Sequence, residues 1–380
     1  MQAPAEMSSG APFLPIEIIS DVLKRLPAKS LIRFQSVCNL WKNLIKSPSF
    51  IASHLDHSNR EYPSLISMGQ NRVSNTSSLY FLDRDMQLRQ VQNDPFLDSL
   101  GFASIVGSCN GLLCIQTEPL GTLLSLYLYN PATRELSVVP RSRTIMDFCR
   151  FRILGFAFSP TINDYKIVIT YMRQGDVEYE FEVYSLTTDS WKKIENPGLG
   201  RSILSYGLTS NASMFWFATK NSLTSPTCVI ASFDIATDGF RLIPQPPLPI
   251  REDASRKLTM YENRLAVFHY SRASNAGNTL IDLWVFEEGV AGSWSKILTC
   301  GPYPPIVKPH TFWRNQIVCN VYAGYSVEGN YKIAANGSFL LDPASNEVKV
   351  RFAGRNEILY DVFSYVESLV LISNIHSEKH

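Results

Sequence analysis

The stretch LYLYNPATREL, residues 126–136, predicts two short strands joined by a tight turn. Aliphatic and aromatic residues flank Asn130-Pro131, and such residues favour strands, whereas Asn and Pro favour turns. The pattern recurs at residues 79–88, 181–194, 229–243, 283–297 and 339–348. A turn residue therefore returns about every 50 positions, at Asp83, Asn130, Ser185, Asp234, Glu287 and Asp342.

A second hairpin is expected beside most of these repeats. Residues 101–115 give the clearest example, because Asn110-Gly111 is a strong signal for a two-residue hairpin turn. Comparable strand pairs are expected at residues 153–169, 204–218, 258–270, 311–322 and 359–372. Four strands repeated at this period are typical of an all-β propeller.

The two ends of the repeat region decide the number of blades. The first outer hairpin lacks a good inner hairpin before it, and the last inner hairpin has no outer hairpin after it. Pairing the N- and C-terminal strands in one composite blade closes the ring with six blades. Seven blades are possible if residues 64–68 form a full strand.

A different pattern precedes the repeats, in FLPIEIISDVLKRLPAKSLIRFQSVCNLWKNLIKSPSF, residues 13–50. Apolar residues recur at helical spacing, and Pro15, Pro27 and Pro48 mark helix boundaries. We expect a small all-α module of three or four short helices, the last running from Pro48 through Leu55. So small a module cannot bury every apolar residue it carries, so the surplus predicts a docking surface. The alternative is a plain helical unit that caps the next domain.

The helical module resembles an F-box, the motif by which F-box proteins bind a Skp-family adaptor and, through it, cullin and RING subunits. Two Leu-Pro pairs and a Val-Cys…Trp pair stand at the spacing of the family. Leu40 departs from the pattern, because a basic residue is usual there, and this puts one polar contact with the adaptor in doubt. The resemblance implies adaptor binding by Leu14, Pro15, Ile18, Ile19, Leu23, Leu26, Pro27, Leu31, Val37, Cys38 and Trp41.

The repeat region resembles the plant F-box-associated, kelch-like domain. The resemblance is carried by residues 107–114, 129–134, 155–158, 164–168 and 182–191. It implies a plant source and a ligand-binding propeller behind the F-box. We expect a disordered lead over residues 1–12, the F-box module over 13–57 and the propeller over 58–380.

Together, the two resemblances imply a substrate-recognition subunit of an SCF-type (Skp–cullin–F-box) ubiquitin ligase, without catalysis of its own. An alternative is a non-degradative F-box module that sequesters a protein or a small ligand. A propeller enzyme is a third hypothesis, and it would need convergent carboxylates or histidines at the central channel, since propellers can host catalysis.

Bulk properties favour a protein of the cytoplasm or nucleus. The net charge of +1 gives no strong electrostatic case for nucleic acid or membrane as a partner. The 7 cysteines are odd in number and scattered, which is typical of reduced thiols. The N-terminus does not have the pattern of a secretory signal, and no apolar run is long enough to span a bilayer.

The sequence contains no nucleotide-binding, serine-hydrolase or zinc-protease motif, so no cofactor or metal is expected. His54 and His57 are expected on a polar helix end, and the proline-rich residues 244–249 as an inter-blade linker. Asp253 and Asp282 lack any motif around them. A basic cluster of Arg141, Arg143, Arg150 and Arg152 is expected to be a solvated loop, with contact to an acidic substrate as the alternative.

The substrate site is expected on loops at a face of the propeller, because loops carry most binding functions. We expect that these candidate loops cannot all lie on one face: residues 141–152, 172–178, 221–226, 271–279 and 325–331.

Overall fold

The computed structural model describes residues 14–60, 63–71, 76–83, 85–91, 94–117, 125–144, 150–172, 179–203, 207–210, 212–220, 227–249, 254–272, 279–289, 292–303, 306–322, 337–351 and 359–377. The lead over residues 1–12 and most of the five candidate substrate loops lie outside these ranges. No helix within them is both long enough and apolar enough to cross a membrane.

The N-terminal module consists of α1 (Ile16–Leu23), α2 (Ala28–Phe34), α3 (Asn39–Lys46) and α4 (Pro48–Arg60). Prolines precede α1 and α2 as their N-caps, where the missing N–H costs nothing. At α3 the N-cap is Cys38, whose Sγ accepts from the Trp41 N–H at 3.5 Å. The fourth helix does not stop at Leu55 as expected but continues five residues further, to Arg60.

Six blades follow, each an antiparallel sheet. The strands of each blade are given from the innermost outward: blade 1 consists of β25 (Leu359–Tyr365), β1 (Ser64–Asn71), β2 (Thr76–Leu82) and β3 (Leu88–Gln90), and blade 2 of β4 (Ala103–Cys109), β5 (Leu112–Thr117), β6 (Ser125–Asn130) and β7 (Glu135–Val138). Blade 3 consists of β8 (Arg150–Ser159), β9 (Asp164–Met172), β10 (Glu180–Ser185) and β11 (Ser190–Ile194), and blade 4 of β12 (Leu199–Ile203) with β13 (Leu208–Ser210), then β14 (Ser213–Lys220), β15 (Thr227–Asp234) and β16 (Gly239–Pro244). Blade 5 consists of β17 (Ser255–Tyr261), β18 (Arg264–Arg272), β19 (Thr279–Glu287) and β20 (Ser293–Tyr303), and blade 6 of β21 (Ile306–Trp313), β22 (Gln316–Tyr322), β23 (Gly337–Asp342) and β24 (Glu347–Arg351).

Two short helices complete the fold. Between blades 1 and 2 lies α5 (Pro95–Ser99), and α6 (Ile372–Ser377) follows β25.

The predicted six-bladed propeller is confirmed, and it contains a composite blade. The innermost strands contact one another in a ring, from β4 through β8, β13, β17 and β21 to β25, which also contacts β4. In blade 1, β25 pairs antiparallel with β1, placing Ser364 opposite Leu65 and Phe363 opposite Ile66. The C-terminus therefore supplies the innermost strand of the blade whose other strands come from the start of the repeat region.

Two expectations about the chain ends were wrong. Residues 359–372 are not a hairpin: they form the single strand β25 and then leave the sheet. Residues 64–68 do belong to a full strand, but it pairs with β25 and so completes the sixth blade instead of starting a seventh. Both sequences are apolar enough to look like independent strands, and only their long-range pairing shows that they share one sheet.

Neighbouring blades are joined by packing and by indole hydrogen bonds. In the cluster between blades 3 and 4, Trp216 and Phe181 are fully buried. The indole N–H of Trp191 in blade 3 donates to the Pro140 carbonyl at 2.6 Å, and that of Trp294 in blade 5 donates to the Pro244 carbonyl at 2.7 Å. These side chains follow the repeated turn, so the period read from the sequence is also the period of the contacts between blades.

Candidate functional site

The N-terminal module has a small core that it shares with the propeller. Leu23, Leu31 and Ile45 are buried there, together with Leu369 and Ala132 from the propeller region. Half-buried side chains surround this core, and they include Ile19, Leu26, Ile32, Phe34, Trp41 and Leu44. The module therefore does cap the propeller, as the alternative interpretation of its helices required.

The module also leaves large apolar side chains in solvent. We call Leu14, Pro15, Ile18 and Val22 the α1 group. Ile18 and Val22 lie one turn apart on α1, and Leu14 and Pro15 stand directly before it. Val37, Cys38 and Leu40, in the turn before α3 and at its start, form the α3 group. The exposed fractions of the aliphatic members in both groups lie between 46% and 60%. Such clustered exposure on so small a module is typical of a protein-binding surface.

The eleven residues predicted to bind an adaptor fall into three classes. Six are exposed: Leu14, Pro15, Ile18, Pro27, Val37 and Cys38. Three are half-buried: Ile19, Leu26 and Trp41. Leu23 and Leu31 are buried in the core of the module.

Sequence reasoning did not include Val22 and Leu40 among these residues. Both are exposed apolar side chains. Val22 follows Ile18 by one helical turn, and this spacing was a usable signal.

The two ends of the propeller differ in what they carry. Within each blade, the strands are counted from the innermost outward, and they alternate in direction. The turns that join the first strand to the second, and the third to the fourth, therefore lie at one end of the propeller, here called the F-box end. Ala132, in a turn of blade 2, and the start of β1 place the helical module there. The connections from second to third strands and between blades lie at the far end.

The described strands that precede the five candidate substrate loops all end at the far end. Four are second strands, ending at Met172, Lys220, Arg272 and Tyr322, and one is the fourth strand β7. The loops themselves lie mostly outside the described residues, so the expectation that they cannot all lie on one face stays a prediction.

A cavity of about 360 Å³ lies among the innermost strands at the centre of the propeller. Lys257 Nζ lies 3.4 Å from His310 Nδ1 and 3.3 Å from Asp361 Oδ1. Burial holds the pKa of His310 well below its usual value, and the charges of Lys257 and Lys308 act in the same direction. The enzyme hypothesis required convergent carboxylates or histidines, whereas the described lining holds one of each with an ammonium group between them.

His54 does not lie on a polar helix end as expected. It is buried, and its Nε2 lies 3.0 Å from the Leu26 carbonyl, so it joins α4 to the segment after α1. The proline-rich residues 245–249 connect blades 4 and 5, as predicted. Asp253 lies outside the described residues. Of the arginine cluster, Arg141 and Arg143 are exposed after β7, whereas Arg150 and Arg152 belong to β8 and not to a loop as expected. Within those that are described, no group of three or more His, Cys, Asp or Glu side chains could hold a metal ion.

Comparison with known proteins covers both parts of the chain. The F-box domain model matches residues 12–53, and the model of the F-box associated beta propeller domain matches residues 65–372. The Arabidopsis thaliana F-box/kelch-repeat protein At3g23880 is 28% identical over 309 residues, covering 78% of this chain and 82% of the relative. The F-box protein CPR1 of the same plant is 25% identical over 327 residues, covering 79% and 76%.

Among solved structures, TolB from Acinetobacter baumannii gives a TM-score of 0.42 at 12% identity, over 82% of this chain and 72% of TolB. That likeness is too distant to bear on function. The two domain matches together span the helical module and the propeller. The chain belongs to the plant F-box proteins that carry an F-box associated beta-propeller domain.

Proposed function

We propose that this chain is the substrate receptor of an SCF-type ubiquitin ligase, with the F-box docked on a Skp-family adaptor. F-box proteins with a β-propeller are generally substrate receptors of such ligases, and the F-box generally binds Skp1. The observation that carries the proposal is the F-box match over helices that leave the α1 and α3 groups exposed. The adaptor, in turn, binds the cullin and RING subunits, and the complex acts in the cytoplasm or nucleus.

The adaptor-binding surface in this proposal consists of the exposed residues. The α1 and α3 groups make direct contact, and the half-buried Ile19, Leu26 and Trp41 border them. Leu23 and Leu31 act indirectly, since they are already packed inside the module and hold its helices in place. Leu40 adds apolar contact at a position where a basic residue would have added a polar one.

The receptor contributes proximity and no covalent step. Holding a substrate lysine close to a charged ubiquitin-conjugating enzyme raises its effective concentration. We place the substrate at the far end of the propeller, because the F-box module occupies part of the opposite end and all five candidate loops start from far-end strand termini.

Co-purification with a recombinant plant Skp1-type adaptor tests the docking claim. Wild type should form a 1:1 complex that survives gel filtration, and the double variant Leu14→Ala/Pro15→Ala should lose much of it. If wild type and the double variant bind the adaptor equally poorly, the docking proposal fails.

A second candidate is a non-degradative F-box module that sequesters a protein or a small ligand, and the central cavity favours it as a place for a small ligand. A volume of about 360 Å³ lies within the range of about 300–1,000 Å³ that is common for small-molecule sites. Inhibiting the proteasome in plant cells separates the two candidates. The level of a bound protein should rise if the chain recruits it for degradation and should stay constant if the chain only sequesters it.

A further inference from the structure

The chain does not end with the propeller. After β25, residues 366–377, here called the strap, leave the sheet at the F-box end and run between the F-box module and blade 2 before ending in α6. The strap packs on both of its neighbours. Leu369 enters the core of the F-box module, whereas Val370 and Ile372 pack on the propeller.

Blade 2 holds the strap through two side chains of its outer hairpin. Asn130 Nδ2 donates to the carbonyls of Ser368 at 3.1 Å and Val370 at 2.8 Å. The Glu135 carboxylate accepts from the backbone N–H groups of Ile372 at 2.7 Å and Ser373 at 2.9 Å. Four backbone groups of the strap are therefore bonded to one hairpin.

Gly111 permits the strap to approach so closely. Its φ is +79°, and a Cβ there would lie 2.3 Å from the Cβ of Ser368 and 2.9 Å from the Val366 carbonyl oxygen. Only glycine combines this backbone conformation with this contact. Two of the five sequence motifs that carry the resemblance to the propeller family, residues 107–114 and 129–134, therefore contribute contacts to the strap.

The other side of the strap holds the F-box. Glu367 Oε2 accepts from the backbone N–H of Ala28 at 3.1 Å, which bonds one of the free donors at the start of α2. Leu369 is buried beside Leu23, Ala28 and Leu31. The strap thus contacts both partners of the junction through hydrogen bonds and through core packing.

Comparison of the blades shows that Asn130 has a second task. At the equivalent turns, Asp83, Asp234 and Asp342 each accept a backbone N–H with a carboxylate oxygen. Asn130 does the same, since its Oδ1 accepts from Ala132 N at 2.9 Å. A carboxylate would be sufficient for that turn, but only an amide can also donate to two carbonyls. Asparagine occurs in blade 2, where the strap passes.

We propose that the strap fixes the orientation of the F-box module on the propeller and that Asn130 is the positioning residue that holds it. The significance for ubiquitin transfer rests on the proposed receptor function: a substrate held at the far end stays at a constant distance from the adaptor. The structural claim itself does not depend on that function.

Asn130→Asp is the sharpest test, because it keeps the turn-forming oxygen and replaces the donor with a negative charge facing two carbonyls. Asn196→Asp is the matched control. Asn196 Nδ2 also donates to two carbonyls, those of Tyr179 and Leu199, and its Oδ1 accepts from Leu199 N, but it lies between blades 3 and 4 and does not bond to the strap. Both variants suffer the same chemical change inside the propeller.

The readout is the distance between spin labels on the F-box and on the propeller, measured by pulsed electron paramagnetic resonance. Labels are attached to Cys228, which is exposed in blade 4, and to an introduced Ser49→Cys on α4, with Cys38 and Cys149 changed to serine. Wild type and Asn196→Asp should give one narrow distance distribution, and Asn130→Asp should lose it. Glu135→Ala, which removes two other strap bonds without a new charge, should broaden the distribution as well.

If Asn130→Asp stays as narrow as wild type, or if Asn196→Asp broadens equally, the positioning role of Asn130 is disproved. Should Asn130→Asp fail to fold by circular dichroism, Glu135→Ala decides the matter in the same way. Adaptor binding is measured separately, on unlabelled proteins that retain Cys38, because Cys38 belongs to the α3 group. Failure of wild type to bind the adaptor would remove the receptor function and leave the distance result intact.

Discussion

Val22→Asp should weaken binding of the Skp-type adaptor by roughly two orders of magnitude. Val22 is 56% exposed on the α1 group. Full burial of a valine side chain is worth about 1.5–3 kcal/mol, so the exposed half offers about 1–1.5 kcal/mol to an interface. Desolvating a polar group without a partner costs a further ~1–3 kcal/mol. A total of about 2–4 kcal/mol corresponds to a Kd roughly 30- to 700-fold higher.

Val138→Asp is the control for this substitution. Val138 is 62% exposed, at the far-end terminus of β7, so the same chemical change occurs at equal exposure but away from the F-box module. Isothermal titration calorimetry with the purified adaptor gives both affinities, and circular dichroism checks that α1 remains folded. If Val22→Asp binds within a factor of two of Val138→Asp, the adaptor does not cover the α1 group, and the surface assigned to it is wrong.

Four further predictions concern stability and thiol chemistry. Leu369→Ala should lower the free energy of unfolding of the F-box module by about 2–5 kcal/mol, because it opens a cavity at the junction. Denaturant-dependent hydrogen exchange of the backbone amides in the F-box helices measures this. Burial lowers the pKa of His54 below 6.5, so near that pH the unfolded chain binds a proton that the folded chain does not bind. The free energy of unfolding should therefore fall as the pH drops through 6.5. His54→Gln should reduce this pH dependence, measured by denaturant titration at each pH. Burial raises the pKa of Cys319 to about 12, so the folded state keeps a proton that the unfolded state loses above pH 9. The midpoint temperature of thermal unfolding should therefore fall as the pH rises from 9 to 12. The fall should be smaller in Cys319→Ala. At neutral pH a maleimide should label exposed Cys38 and leave Cys319 unmodified until denaturant is added, as mass spectrometry would show.

The propeller could be predicted because its signals are local. Each outer hairpin can be recognised from a turn residue between two short apolar runs, and the regular spacing of these turns predicts a propeller. The Asn110-Gly111 turn has positive φ at both residues, 50° and 79°, as its sequence predicts. The composite blade was predicted from the incomplete hairpin sets at the two ends of the repeat region, and it is present. What failed was the assignment of residues 359–372 to a hairpin, because nothing near residue 359 shows that β25 is a single strand whose partner, β1, lies at the start of the repeat region.

The site was harder to predict than the fold because the F-box helices are apolar on more than one side. Spacing identifies Ile18, Val22 and Leu23 as helical apolar residues, but it does not say which face the propeller covers. The structure resolves this, since the side chains that pack near Leu369 become core and the remainder stay exposed. His54 is a similar case: its burial depends on the Leu26 carbonyl, 28 residues earlier in the chain.

In a repeat protein, the residue at a given position can be compared with the residues at the equivalent positions of the other repeats. A residue that differs from the others indicates a function that the other repeats do not have. Three of the other five blades have a carboxylate acceptor at this position of the outer turn, supplied by Asp83, Asp234 and Asp342. An amide at the same position in blade 2 is unnecessary for the turn, so its donor must serve something outside the repeat, and the structure shows the strap there. The strap in turn supplies Leu369 to the F-box core. Among the six equivalent turn positions, only the one in blade 2 carries an amide, and this is where the propeller is joined to the F-box module.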